Sequence, residues 1–255
     1  MNRLANKVAI VTGGGSGFGE GIVRKFVAEG ARVLVADIDG AAAERVAAGL
    51  GAAAAPQRCD VASAADLRAM VDAAEARFGA VDIVVNNAGI GHLPQPLELL
   101  PEEQFDRIHA VNMKSIYLTM REVVPRMKAR AAGHDGIRGV VLNMASTAGV
   151  SPRPRLAWYN ASKGWVITAT RANAVELAPF GIRVVALNPV AGDTPLLKTF
   201  MGEDTPEMRA RFLSTIPIGR FSRPDDLANA ACYLCSDEAS MITGVCMEVD
   251  GGRCI

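Results

Sequence analysis

The chain has 255 residues, half of them hydrophobic and 21% charged, with 27 basic residues balanced by 27 acidic ones. A formal net charge of zero argues against nucleic acid or an anionic membrane as a partner, and no run of 18 apolar residues offers a membrane span. No Pro/Gly/Ser-rich linker divides the sequence, so one domain over residues 1–255 is expected, and the absence of a secretory h-region near the start makes the cytoplasm the expected compartment.

Short β-branched runs alternate with helical periodicity. The first strand is expected at residues 7–11 and the first helix at 17–29. Between them lies Thr12-Gly13-Gly14-Gly15-Ser16-Gly17-Phe18-Gly19, a G-x-x-x-G-x-G turn that differs from the G-x-G-x-x-G spacing. Glycines there permit a tight turn and let backbone N–H groups approach a pyrophosphate at a helix N-terminus. Gly13, Ser16, Gly17, Phe18 and Gly19 are therefore candidate cofactor contacts. A second strand at 32–36 leads to Asp37-Ile38, 18 residues past Gly19. An acid there accepts hydrogen bonds from ribose hydroxyls and repels a 2′-phosphate. No basic residue follows it directly, and Ser16 stands where one would help bind that phosphate, so NAD is expected over NADP.

A helix at 41–50, a strand at 55–59 and a helix at 63–78 come next, with Asp60 and Val61 placed to flank an adenine. The strand at 81–85 ends in Asn86-Asn87-Ala88-Gly89, and the amide and small residues Asn87, Ala88 and Gly89 suit close backbone approach. One long helix is expected at 102–128, a polar loop at 130–138, a strand at 139–144, a helix at 159–179 and a strand at 182–187. Residues 190–220 lack clear periodicity, and the chain closes with a helix at 223–236 and a strand at 245–248. Near-continuous apolar strands alternating with helices predict an α/β fold, a doubly wound parallel sheet of about seven strands with helices on both faces. The five cysteines are odd in number and scattered. Cys232-x-x-Cys235 falls inside a helix with no second pair or nearby histidine, so buried thiols are expected and no metal site.

Ser146, Tyr159 and Lys163 carry the chemistry, and the last two stand four apart, on one helix face. A phenol titrates near 10 and is a poor base at pH 7; a neighbouring ammonium favours its phenolate, and a drop of about 3 units needs roughly 4 kcal/mol. A serine hydroxyl nearby can hold a substrate oxygen. These are parts of a metal-free alcohol–carbonyl redox site.

Taken in order, the Gly turn at 12–19, Asp60, Asn86-Asn87-Ala88-Gly89, Asn112, Ser146, Tyr159-x-x-x-Lys163 and the Pro-x-x-x-x-Thr stretch at 189–194 resemble the short-chain dehydrogenase/reductase family along nearly the whole chain. The resemblance implies that Ser146 bonds the substrate oxygen, Tyr159 transfers the proton, Lys163 lowers the tyrosine pKa and holds the nicotinamide ribose, and Asn112 supports a proton-relaying water chain. It also implies that Pro189, Val190 and Thr194 line the nicotinamide end, with Val190 replacing a common glycine. Homotetramers, or homodimers, are the assembly it implies. The closing residues and 194–202 are similar to a subgroup that includes zinc-independent dehydrogenases of hydroxymethyl-arenes, alongside oxoacyl-reductase-like and glucose-dehydrogenase-like members.

Three segments, 90–96, 147–158 and 191–216, are expected to face a small alcohol or carbonyl substrate. They contain His92, Gln95, Arg153, Arg155, Trp158, Phe200 and Met201, an aromatic and apolar set that suits an aryl or alkyl alcohol. Either arginine is a candidate for an anionic group such as a carboxylate or sulfonate; the alternative is that both are solvated loop residues or contact a neighbouring subunit. The alternatives to an NAD-linked dehydrogenase are an NADPH-type 3-oxoacyl-carrier-protein reductase, which Asp37 opposes, and a non-catalytic NAD-binding sensor or scaffold, which the retained catalytic-type residues oppose.

Overall fold

In the computed structural model, which describes residues 2–255, seven parallel strands form one sheet in the order β3-β2-β1-β4-β5-β6-β7. In chain order the elements are β1 (Val8–Thr12), α1 (Gly17–Ala28), β2 (Arg32–Asp37), α2 (Gly40–Ala48), β3 (Ala54–Arg58), α3 (Ala64–Phe78) and β4 (Ile83–Asn86). Then come α4 (Glu102–His109), α5 (Ser115–Ala129), β5 (Gly139–Met144), α6 (Ala157–Leu177) and β6 (Ile182–Pro189). Helices α7 (Leu196–Met201), α8 (Pro206–Leu213) and α9 (Pro224–Cys235) precede β7 (Cys246–Val249).

The central strands are apolar on both faces because both are covered. Val11, Val85, Leu142 and Val185 point into a core shared with α1, α2 and α9. Ile10, Val84, Val141 and Val184 point into one shared with α3, α5 and α6. One charge interrupts this apolar pattern. Arg183 on β6 is 4% exposed, and its guanidinium donates to Leu234 O at 2.8 Å, Ile242 O at 3.1 Å and Ser236 O at 3.1 Å. It thereby satisfies carbonyls at the C-terminal end of α9, where a positive charge also suits the helix dipole.

Strand order reverses between β2-β1 and β4-β5, which opens a crevice beyond the carboxyl ends of β1 and β4. The Gly turn after β1 and the Asn87 loop after β4 meet there.

Three expected elements differ in the structure. The helix expected at 102–128 is interrupted by a π-helical turn at Ala110–Lys114 between α4 and α5. That turn holds Asn112, whose amide is engaged by the Ile90 backbone, and such bulges mark functional positions. The stretch at 190–220 forms α7 and α8. Both are short, and α8 is fixed by Pro206 and a Thr205 cap on Met208 N at 3.2 Å, so no long apolar stripe announces them. The fourth strand begins at Ile83, because Asp82 spends its side chain on Val8 N at 2.8 Å and on Arg130.

Candidate functional site

The site begins with Thr12. Its hydroxyl donates to Val85 O at 3.2 Å and accepts from Asn87 N at 3.0 Å and Ala88 N at 3.1 Å. Asn87 in turn donates to Thr12 O at 2.9 Å and Gly13 O at 3.1 Å. The two loops are therefore cross-tied before any ligand binds.

Two glycines of the turn are dictated by space. Gly17 has φ +55°, with Thr194 close over it, and a Cβ on Gly19 would lie 2.0 Å from Gly13 O. Gly19→Ala should therefore displace the turn, lowering stability by about 1–3 kcal/mol and raising the KM for cofactor more than it lowers kcat. A thermal melt and cofactor kinetics check this; an unchanged Tm and KM would contradict it. The N-terminus of α1 opens at Gly17, and Ser16, its exposed N-cap, makes no capping bond. Phe18 lies against Gly192, where a Cβ would meet the ring at 2.1 Å.

Asp37 ends β2. Its carboxylate accepts from Gly15 N at 2.9 Å and from Asp39 N at 3.0 Å. The sequence reading missed Arg45 on α2. It donates to Gly15 O at 2.6 Å and pairs with Glu20 at 2.9 Å, which Arg24 also pairs at 2.8 Å. Arg45 stands eight residues past Asp37, and only the packing of α2 over the turn reveals its position. Asp60 accepts from Ala62 N at 2.9 Å, and Val61 is buried.

At the other end of the crevice, Ser146 follows β5 in extended backbone, and its Oγ accepts from Ala148 N at 3.1 Å. Tyr159 and Lys163 lie on α6, 6% and 4% exposed. Lys163 Nζ donates to Met144 O at 2.8 Å, leaving two of its three protons for other acceptors. Asn112 is buried, with Oδ1 accepting from Ile90 N at 2.9 Å and Nδ2 donating to Ile90 O at 2.9 Å and Ser162 Oγ at 3.1 Å. A Cβ on Gly89 would lie 3.4 Å from Lys163 Nζ and 3.5 Å from Asn112 Oδ1, so these residues meet at one point.

The protonation balance differs from the sequence expectation. Burial pushes the Tyr159 phenol up to about 12, against the opposing pull of the Ser146 side chain and the Arg153 charge. Burial likewise draws the Lys163 ammonium down to about 8. Lys163 Nζ stands 5.9 Å from the Tyr159 ring centre and is turned to Met144 O, so the expected lysine-driven fall is not built into the chain alone.

A cavity of about 480 Å³ links all these groups, from Asp37, Ile38, Asp60 and Val61 past Gly13–Phe18 and Asn87–Gly89 to Ser146, Tyr159, Lys163, Pro189, Val190 and Thr194. Its length, its helix N-terminus, its carboxylate at one end and its partly unengaged buried ammonium at the other fit a dinucleotide. It also takes in Arg107, Arg153, Phe200 and Phe212, of which Arg153 and Phe200 were sequence candidates. Phe200 on α7 lies 4.7 Å from the Tyr159 ring.

The other substrate candidates fall outside the cavity. Trp158 Nε1 donates to Leu97 O at 3.0 Å, and its ring stands edge-on to Phe105 at 5.5 Å. Arg155 has φ +67° and is exposed. Gln95 N is tied to Arg155 O at 3.0 Å. His92 is buried, with Nδ1 2.8 Å from Leu93 O. The loop before α6 turns outward at Arg155, so of 147–158 only Thr147, Ala148, Arg153 and Leu156 line the cavity. Cys232 and Cys235 are buried in α9, and burial raises both thiols, Cys235 to about 12.

This fold and site define a dinucleotide-dependent oxidoreductase. A family model described as enoyl-(acyl carrier protein) reductase matches residues 13–253, and the chain belongs to the short-chain dehydrogenase/reductase family. It is 50% identical to the 4-formylbenzenesulfonate dehydrogenase TsaC1/TsaC2 of Comamonas testosteroni, covering 98% of this chain and 99% of that one. It is 41% identical to a 2,5-dichloro-2,5-cyclohexadiene-1,4-diol dehydrogenase of Sphingobium indicum, over 99% and 98% of the two chains. Among solved structures, the NADH complex of a 3-ketoacyl-(acyl-carrier-protein) reductase from Brucella melitensis superposes with a TM-score of 0.93 at 54% identity, covering 99% and 100%. The reaction class, alcohol–carbonyl oxidoreduction with a nicotinamide cofactor, comes with the family.

Proposed function

We propose that the protein oxidises a small alcohol to its aldehyde or ketone with NAD, and runs the reverse reduction, in the cytoplasm and as a homotetramer or homodimer. The observation that carries this reading is the convergence of Ser146, Tyr159 and Lys163 on one end of a cavity whose other end holds Asp37, with Asn112 buried beside Lys163 at Gly89. The NADH in the Brucella melitensis structure and the dehydrogenase names of the relatives support it.

When bound, the nicotinamide would supply the hydride acceptor for the carbinol carbon. Everything else falls to the chain. The N-terminus of α1 and the backbone N–H groups of residues 16–19 would hold the pyrophosphate, with Phe18 packed behind them. Asp37 accepts from the adenosine ribose, while Ile38 and Asp60-Val61 flank the base. Asn87, Ala88 and Gly89 keep the floor of the crevice low, and Pro189, Val190 and Thr194 bound the nicotinamide end. Ser146 Oγ donates to the substrate oxygen. Tyr159 Oη takes the alcohol proton during oxidation, and in reduction the neutral phenol returns it. Lys163 supplies a positive charge beneath Tyr159 and two donors for ribose hydroxyls. Asn112 holds the π-helical turn to Ile90, beside Lys163.

Asp37 and the Glu20-paired Arg45 support NAD: the Asp37 carboxylate repels a 2′-phosphate, and the Arg45 charge over the turn is already neutralised. The expected result is a kcat/KM at least tenfold higher with NAD than with NADP, narrowed in Asp37→Ala; a lower KM for NADP in the wild type would overturn the assignment. The likeness to a 3-ketoacyl-(acyl-carrier-protein) reductase favours a second reading, reduction of an oxoacyl thioester. An assay offering aryl alcohols and an acetoacetyl thioester side by side separates the two.

A further inference from the structure

The substrate half of the cavity contains a cation that the proton-transfer chemistry leaves without a ligand. Arg153 lies on the loop between β5 and α6 and lines the cavity beside Tyr159. Its guanidinium carbon sits 4.4 Å from the centre of the Phe212 ring on α8. The guanidinium lies over the ring face, where the aromatic quadrupole holds the charge without using its N–H groups. Among the described residues, no carboxylate pairs with it and no carbonyl accepts from it; its only polar tie to the fold is through its backbone, Asn160 Nδ2 donating to Arg153 O at 2.7 Å.

A second cation reinforces the first. Arg253, from the segment after β7, sends Nη1 to Ser151 Oγ at 3.2 Å, and its Nε is buried without a partner. The nearest acid in sequence, Asp250, is occupied by Gly252 N at 2.9 Å and Cys254 N at 2.8 Å. Burial and the repulsion from Arg253 both draw the Arg153 pKa down. Two neighbouring guanidiniums, partly removed from water and without an ion-pair partner among the described residues, are a costly arrangement that a bound anion relieves. A planar fork beside an aromatic ring suits a two-oxygen or three-oxygen anion on a flat ring.

Resting on the dehydrogenase reading, we propose that the substrate carries an anionic group, a carboxylate or sulfonate, which Arg153 binds while Arg253 adds positive potential. The ring of an aryl substrate then lies between Phe200 and Phe212, with the reacting oxygen at Ser146 and Tyr159. Arg155, the other sequence candidate, faces outward and takes no part.

Kinetics with 4-(hydroxymethyl)benzoate, 4-(hydroxymethyl)benzenesulfonate and benzyl alcohol test this in the wild type, Arg153→Met and Arg155→Met. Arg153 also pulls on the Tyr159 phenol, so its loss slows every substrate by a shared factor, and the readout is the anionic-to-neutral ratio of kcat/KM. The wild type should favour the anions, and Arg153→Met should lower that ratio roughly 10- to 150-fold, chiefly through KM. Arg153→Lys should recover part of the ratio, and Arg155→Met should leave it unchanged. A wild-type ratio near one, or a ratio that Arg153→Met leaves intact, overturns the proposal.

Binding of benzenesulfonate to the NADH complex by calorimetry keeps the two readings separable. If no alcohol is oxidised, the dehydrogenase reading falls, while binding weakened at least tenfold by Arg153→Met still supports the anion site. Absent binding, or binding unchanged by the substitution, overturns it.

Discussion

Tyr159→Phe is expected to lower kcat by roughly 10²- to 10⁴-fold while leaving the Kd for NADH within about threefold of wild type. The substitution removes one oxygen from a side chain that is otherwise packed, 6% exposed, against the Phe200 ring. The hydroxyl is the only atom lost, so the fold and the cofactor crevice have no reason to move. The wild-type phenol is held near 12 by burial, so at neutral pH it is a proton donor, ready for carbonyl reduction. Oxidation needs the same group without its proton. The positive charges of Lys163, Arg153 and the oxidised nicotinamide ring all favour that form. Alcohol oxidation should therefore rise with pH more steeply than carbonyl reduction falls. Activity of Tyr159→Phe within tenfold of wild type would remove the tyrosine from the reaction.

Lys163→Met is expected to separate stability from activity. A buried ammonium whose pKa falls from 10.5 to about 8 carries about 3 kcal/mol of unfavourable desolvation at neutral pH. The sign follows from proton counts. Between the folded value near 8 and the unfolded value of 10.5, the unfolded chain binds more protons, so this group makes stability rise with pH across that window. Below pH 8 the penalty is fully present. Methionine fills similar space without the charge, at the loss of one bond to Met144 O. The variant should therefore melt at or above the wild-type temperature at pH 7, with kcat lower by at least about 10²-fold and a higher KM for NAD. A variant that is less stable and still active would contradict both the burial account and the assigned role. Retention of so costly a charge in a well-packed wall is itself the pattern expected where function opposes stability.

Fold class, and the grouping of the candidate catalytic residues, were legible in the sequence because each has a local signature. Apolar strands alternate with helices over short distances, and Tyr159 and Lys163 need only one helical turn to come together. Asp37 was legible because a strand end fixes where its side chain points. What stayed hidden depends on tertiary packing. The π-helical turn at Ala110–Lys114 is invisible to periodicity, since it inserts one residue into an otherwise helical run. Arg45 reaches Gly15 only because α2 crosses the turn. Two arginines two residues apart, Arg153 and Arg155, look alike as letters. A single positive φ at Arg155 sends one outward and leaves the other over Phe212. The same loop geometry withdraws Gln95 and Trp158 from the substrate, and it is the reason the substrate side was the least readable part of the chain.

The most direct test is an absorbance assay of NADH formation from aryl alcohols, run on the wild type and Tyr159→Phe at equal occupancy by NAD. The expected result is steady turnover by the wild type and a loss of at least 10²-fold in the variant. A wild type that binds NADH yet oxidises none of the alcohols, or a variant that keeps pace with it, would contradict the account.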